Sequence, residues 1–405
     1  MKISIGLISI FLSLLTTIEI KSESVTEKNY GFAQKQLKVS LNEVEVGRKK
    51  HLNDTLPLVN PRSFQLDGTL SLVASSDWTS GFFPGELWYM FEYTHNDFWK
   101  QKAMESTSLL QKEQWNGKTH DMGFKMYCSY GNGFRLTQNE DYKNILIQSA
   151  KTLSSRFRAK TGCISSWDHH ADEYSYPVII DNMLNLELLF WATKATGDSS
   201  FYNIAVSHAR TTAKNHFRND FSSFHVVDYD SITGKIIKKA THQGFANYSA
   251  WARGQAWGLY GFTMCYRETR KPEFLEQAKQ IANYIFSNPT LAKDFIPYWD
   301  FNAPKIHDEP RDVSAACVIA SALYELSMYD KENAVLYIKR ANTIIENISN
   351  SYRAEIGKEH GFLLLHSTGS KPQNLEIDVP LVYADYYFLE ALIRKQKLEK
   401  SGSAV

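Results

Sequence analysis

Two isolated aspartates offer the clearest chemistry in this chain. Asp121 lies in His120-Asp121-Met122-Gly123-Phe124, and Asp181 lies in Val178-Ile179-Ile180-Asp181-Asn182-Met183-Leu184. A lone carboxylate on a buried face costs on the order of several kcal/mol unless it is paired or neutralised. Sixty residues apart, the two meet only if the fold brings them together. They would then form a carboxylic-acid pair of the kind sugar-cleaving enzymes use. The competing reading is that each Asp caps a helix, since Asp is a favoured N-cap.

Aromatic and amide surroundings favour the first reading. The segment from Asp77 to Trp88 combines polar side chains, aromatics and Gly-Pro turn chemistry, and as a site it places Trp78 at a cavity mouth. Trp167-Asp168-His169-His170 precedes the loop that leads to Asp181. Adjacent histidines do not easily face one metal ion, so a solvated loop pair is expected and no metal is called for. The densest run extends from Ala240 to Tyr260. Ser249 is the expected N-cap of its helix, on which Arg253 and Trp257 are four apart and share a face. A guanidinium beside an indole can hold a carboxylate while the indole stacks on a sugar ring. The alternative is a surface cation–π pair, and Ala252, Gly254 and Ala256 argue for a crowded interior instead. No nucleophile elbow, phosphate-binding glycine loop or dinucleotide fingerprint is present.

The elements that must position these residues are helical. A short polar turn between two apolar helical runs recurs at Tyr93–Phe98, Leu136–Tyr142, Ala195–Phe201 and Glu268–Phe274, and in degenerate form at Met328–Asn333. Short polar turns between such runs mean antiparallel helix hairpins. Strand signals are weak, the best being Phe224–Tyr229 and Gly361–His366, with a hairpin turn over 230–235. A helix is expected around Phe32 to Val46, before an extended lead-in to Pro61. About a dozen helices joined alternately by tight turns and long loops fit six hairpins closing on themselves, with the long connections gathered at a functional end.

Composition narrows the partners. A net charge of +1 gives no electrostatic case for nucleic acid or a membrane surface. The aromatic fraction of 13% fits a large core and a carbohydrate cleft equally. Met1-Lys2, the apolar run Ile3 to Leu15 and the small residues Ser22 and Ser24 read as a secretory signal peptide over 1–24, which leaves 25–405 as one domain and an exported, periplasmic protein. The four cysteines show no paired metal spacing, and a buried free thiol is the commoner outcome for such residues.

Five motifs come in order: Trp-Thr-Ser-Gly-Phe-Phe-Pro-Gly from Trp78, His120-Asp121, Asp-Asn-Met-Leu-Asn from Asp181, Thr-His-Gln-Gly from Thr241, and Ser-Ala-Trp-Ala-Arg-Gly-Gln-Ala-Trp from Ser249. Together they closely resemble the unsaturated glucuronyl hydrolases of glycoside hydrolase family 88, over essentially all of the chain after the signal segment. The resemblance implies an all-α (α/α)6 toroid with long loops at the active-site end, and no cofactor. It implies a substrate whose non-reducing end is a 4,5-unsaturated uronic acid, from glycosaminoglycan or ulvan. It makes Asp181 the proton donor and Asp121 the second catalytic carboxylate. Arg253 and Trp257 become uronate-binding residues. Thr241, His242, Gln243, His225 and His120 complete the cleft, and Trp78 and Trp167 wall it. The chain departs from the family pattern at Asn247-Tyr248, which bears on the leaving sugar. The rival expectations are an unsaturated rhamnogalacturonyl hydrolase and a non-catalytic exported glycan-binding protein.

Overall fold

The recurrent turns set the architecture. Four of the five close a helix with a residue in the left-handed region and open the next one position later. His95, Gln138, Gly197 and Arg270 have φ of 54°, 55°, 77° and 56°. Asn96, Asn139 and Asp198 then cap the following helices through their side chains, and Lys271 is followed by Pro272 at the first helical position. Left-handed C-caps and Asx or proline starts satisfy the free backbone groups at both ends within two residues.

In the computed structural model, which describes residues 23–51 and 54–402, these turns join twelve α-helices. They are α1 (Val25–Lys50), α2 (Phe82–Thr94), α3 (Asp97–Ser108), α4 (Asn132–Thr137), α5 (Glu140–Ser154), α6 (Leu186–Thr196), α7 (Ser199–Asn215), α8 (Ala252–Thr269), α9 (Pro272–Ser287), α10 (Val313–Leu326), α11 (Ala334–Ser351) and α12 (Val382–Lys400). A π-helix over Gly123–Gly131 runs into α4, and a 3-10 turn over Ile180–Asn185 runs into α6.

The fold is an (α/α)6 toroid. Even-numbered helices form the inner ring, in which α2 packs on the π-helix, α6 on α8, α8 on α10, α10 on α12 and α12 back on α2. Patterning explains the division. All fourteen residues of α10 are buried, whereas outer helix α9 buries only Phe274, Ala278, Ile281, Ala282 and Ile285, one stripe at helical spacing. Helix α1 is the outer partner of α12. Its residue Tyr30 donates to the Leu389 carbonyl at 3.0 Å.

Four small antiparallel sheets occupy the connections: β1 (Leu58–Phe64) with β2 (Leu70–Ala74), β3 (Phe157–Arg158) with β4 (Cys163–Ile164), β5 (Pro177–Ile179) with β6 (Val226–Tyr229) and β7 (Ile236–Ala240), and β8 (Ser367–Ser370) with β9 (Leu375–Val379). The β6–β7 hairpin lies where the sequence places it. The strand expected over 361–366 does not form there. The amides of Leu363 and Leu364 donate to the buried carboxylate of Asp385, so pairing begins only at Ser367. The first helix is longer than expected, because Ser24 and Glu27 form a capping box. Ser249 does not cap α8. Its hydroxyl donates to Asp300 instead, at 2.7 Å. Residues 1–22, most of the expected signal segment, lie outside the described residues. No described helix is long and apolar enough to cross a membrane. Cys128, Cys163, Cys265 and Cys317 are buried free thiols.

Candidate active site

One three-stranded sheet delivers three parts of the site to one edge. Ile179 of β5 pairs with Val226 of β6, which pairs with Ala240 of β7. The residues just beyond that edge are Ile180-Asp181, His225 and Thr241-His242-Gln243. Asp121 arrives from the other side, ahead of the π-helix. The two acid-bearing segments cross where Gly123 meets Asn185. A Cβ on Gly123 would lie 2.6 Å from the Asn185 Cα, so only glycine permits this approach. The Asn185 side chain accepts from the Phe124 amide at 3.0 Å and locks the crossing. Gly81 performs the same service for the Trp78 loop, which runs against the Phe124 and Lys125 carbonyls.

The result is a cleft of about 360 Å³. Asp121, Asp181, His120 and Gln243 line it, as do Trp78, Trp167 and His242. Neither aspartate caps a helix with its side chain, so the capping alternative falls away.

The two carboxyl groups differ in environment. Asp181 is 7% exposed, and its Oδ2 has no hydrogen-bond partner. Burial pushes its pKa up to about 6; the charges of His120 and Arg253 pull it down less strongly, and Asp121 adds to the rise. Burial also pushes Asp121 up, but there the charge of His120 beside it, the hydrogen bond from Thr119 and the Lys125 ammonium prevail and hold it below the usual carboxylate value. Thr119 Oγ1 donates to Asp121 Oδ2 at 2.6 Å. His120 Nδ1 donates to the Ser166 carbonyl at 2.9 Å. Its Nε2 stands 2.9 Å from Asp121 Oδ1, but out of line for a well-directed hydrogen bond.

His225 is the third element. Its Nδ1 accepts from the His242 and Gln243 amides, both at 3.1 Å. Burial, together with the charges of His242 and Arg253, holds this imidazole neutral. The proton therefore sits on Nε2, which faces Asp181 Oδ2 at 3.6 Å. Thr241 does not line the cavity. Its Oγ1 accepts from the Gly244 amide at 2.8 Å and closes the turn that presents His242 and Gln243.

Arg253 and Trp257 sit elsewhere than the sequence expectation puts them. Both belong to inner helix α8, which is buried on all sides. Trp257 is fully buried between Phe124 and Tyr387, with ring centroids 5.3 and 5.4 Å away. Arg253 is 1% exposed. Its guanidinium donates to Asp312 at 2.6 Å and to the Thr368 and Gly369 carbonyls at 2.5 and 2.6 Å. It braces the β8 loop from behind, and its charge reaches Asp181 through the wall.

Sequence reasoning missed several wall residues. Lys118, Arg62, Ser370 and Tyr383 line the cleft. Arg62 is paired with Glu376 at 2.5 Å and Asp77 at 2.9 Å, while the buried Ser370 hydroxyl has no partner. Lys118 stands three residues before Asp121, a proximity that was readable. Arg62 lies in a polar lead-in with no distinguishing signal.

Comparison with known proteins agrees with this geometry. Residues 50–362 match the family model described as Glycosyl Hydrolase Family 88. An unsaturated glucuronyl hydrolase of Formosa agariphila is 47% identical over 388 residues, covering 95% of this chain and 96% of the relative. An unsaturated chondroitin disaccharide hydrolase of Streptococcus pneumoniae is 32% identical, covering 83% of this chain and 86% of that one. The crystal structure of an unsaturated glucuronyl hydrolase specific for heparin superposes with a TM-score of 0.85 at 44% identity, covering 91% of this chain and 98% of its own. By its toroid, its two cleft carboxyl groups and these matches, the chain belongs to glycoside hydrolase family 88.

Proposed function

We propose that this protein removes a 4,5-unsaturated uronic acid from the non-reducing end of oligosaccharides left by polysaccharide lyases. The observation that carries the reading is one cleft holding two carboxyl groups whose environments push their proton affinities apart. Asp181 keeps its proton close to neutral pH and gives it to C4 of the vinyl ether. Positive charge then develops at C5 and the ring oxygen. The Asp121 carboxylate, held ionised, faces that charge and directs the water or nucleophile that captures C5. The resulting hemiketal opens and releases the leaving sugar. His225, neutral with its N–H toward Asp181, steadies the carboxylate that remains after proton transfer. Lys118, Gln243 and the unpartnered Ser370 hydroxyl offer donors to the uronate from the cavity wall.

The names of the relatives support this substrate class, and they make glycosaminoglycan fragments the first to test, with ulvan fragments beside them. The test follows the absorbance of the conjugated double bond. It decays with the wild-type protein and persists with Asp181→Asn; an active Asp181→Asn variant refutes the acid assignment. A panel of disaccharides of known sulfation, with a pectin-derived one included, identifies the leaving sugar. We also propose export to the periplasm, supported by the basic start and the apolar run from Ile3 to Leu15. N-terminal sequencing of protein recovered from the periplasmic fraction checks it.

A further inference from the structure

The loop that follows cleft residue Gln243 carries two exposed aromatic side chains. Phe245 and Tyr248 are 38% and 69% exposed, and their rings meet edge to face, 6.3 Å apart at 85°. The backbone that carries them is held at many points. Buried Asp300 accepts from the Phe245 amide at 2.9 Å and from the Ser249 hydroxyl at 2.7 Å. Asn247 Oδ1 accepts from the Thr241 amide, and the Ser249 hydroxyl oxygen accepts from the Ala246 amide. Arg218 donates to the Asn247 and Ser249 carbonyls. Two neighbouring exposed aromatic rings on a backbone tied this firmly offer a rigid apolar surface. Two residues of chain span at most about 7 Å, so Phe245 starts within roughly one sugar length of cleft residue Gln243. Pyranose faces are flat and carry C–H bonds, which suit a rigid aromatic ring that loses little entropy on contact.

We propose that Phe245 and Tyr248 form a stacking platform for the sugar next beyond the leaving sugar, so that the enzyme favours tetrasaccharides over disaccharides. The inference rests on the functional reading above and adds substrate length to it. It is tested with an unsaturated disaccharide and tetrasaccharide cut by one lyase from the same unsulfated glycosaminoglycan. Covering one ring face by the sugar corresponds to about a tenfold gain in kcat/KM. The wild type is expected to show that gain on the tetrasaccharide. Phe245→Ala is expected to lose most of it with disaccharide activity unchanged, Tyr248→Ala to lose most of it as a ratio of the two lengths, and Tyr248→Trp to retain it. Equal wild-type activity on both lengths, or a gain that both alanine variants keep, overturns the platform and leaves the function standing. A wild type inactive on both lengths overturns the functional reading and the platform with it.

Discussion

Replacing Asp181 with asparagine should abolish turnover and at the same time stabilise the protein at neutral pH. The folded-state pKa of about 6 stands some two units above the ordinary value of 3.8. Asp181 thus holds its proton more tightly folded than unfolded, and ionising it works against folding. The penalty is absent below about pH 4. It grows as pH rises from the unfolded pKa through the folded one, and is fully present above about pH 6. At 1.36 kcal/mol per unit, two units make about 3 kcal/mol. Asparagine has nearly the shape of the protonated acid and never ionises, so Asp181→Asn escapes the penalty. With an unfolding entropy of about 2.1 cal/mol/K per residue, a chain of this length converts 3 kcal/mol into roughly 4 °C of Tm. Calorimetric melts of wild type and variant at pH 4, 5, 6 and 7 read the difference. It should be near zero at pH 4 and largest at pH 7. A variant no more stable than wild type at pH 7, or equally more stable at both ends, refutes the buried-acid argument.

Three further outcomes follow from the same geometry. The kcat/KM profile should fall about tenfold per unit above pH 6 as Asp181 loses its proton, with a second fall only in strong acid, below the ordinary carboxylate range, as Asp121 gains one; in Asp121→Asn, carbon-13 NMR of the Asp181 carboxyl should show a lower pKa, because a neighbouring negative charge has gone. Gly123→Ala forces apart the two segments that carry the carboxyl groups, and should lower kcat about 100-fold while a near-wild-type circular dichroism spectrum shows that the toroid persists; unchanged kcat would mean that the crossing does not set the acid geometry.

Much of this architecture is local and therefore readable. Asn96, Asn139, Asp198 and Pro272 announce helix starts through their own side-chain chemistry, and the one-residue gap behind the preceding helix end follows from it. Asp121 and Asp181 are conspicuous because a carboxylate among apolar neighbours demands a reason. What escaped is set by long-range packing. Arg253 and Trp257 do share a helix face, as a spacing of four requires, but that face looks into neighbouring helices. Ala252, Gly254 and Ala256 marked α8 as a crowded interior helix, but the partners that fill that interior come from distant parts of the chain. The displaced start of β8 depends on Asp385 taking two amides from a loop more than twenty residues earlier. Nothing in residues 123–131 distinguishes a π-helix from an α-helix.

The ring is shut by its two ends. Helix α12 stands between α10 and α2, and α1 covers it from outside, with Tyr30 bonded to Leu389 and Gln36 to the Phe362 carbonyl. During synthesis, some 380 residues must emerge before the last inner position is filled and the first helix finds its partner. Until then the flanks of α2 and α10 expose apolar surface with no local substitute. Folding of this chain is therefore a late event, and its yield should depend on how well that open arc is kept from other molecules. A bulky fusion or truncation at the C-terminus is correspondingly more hazardous than its distance from the cleft implies.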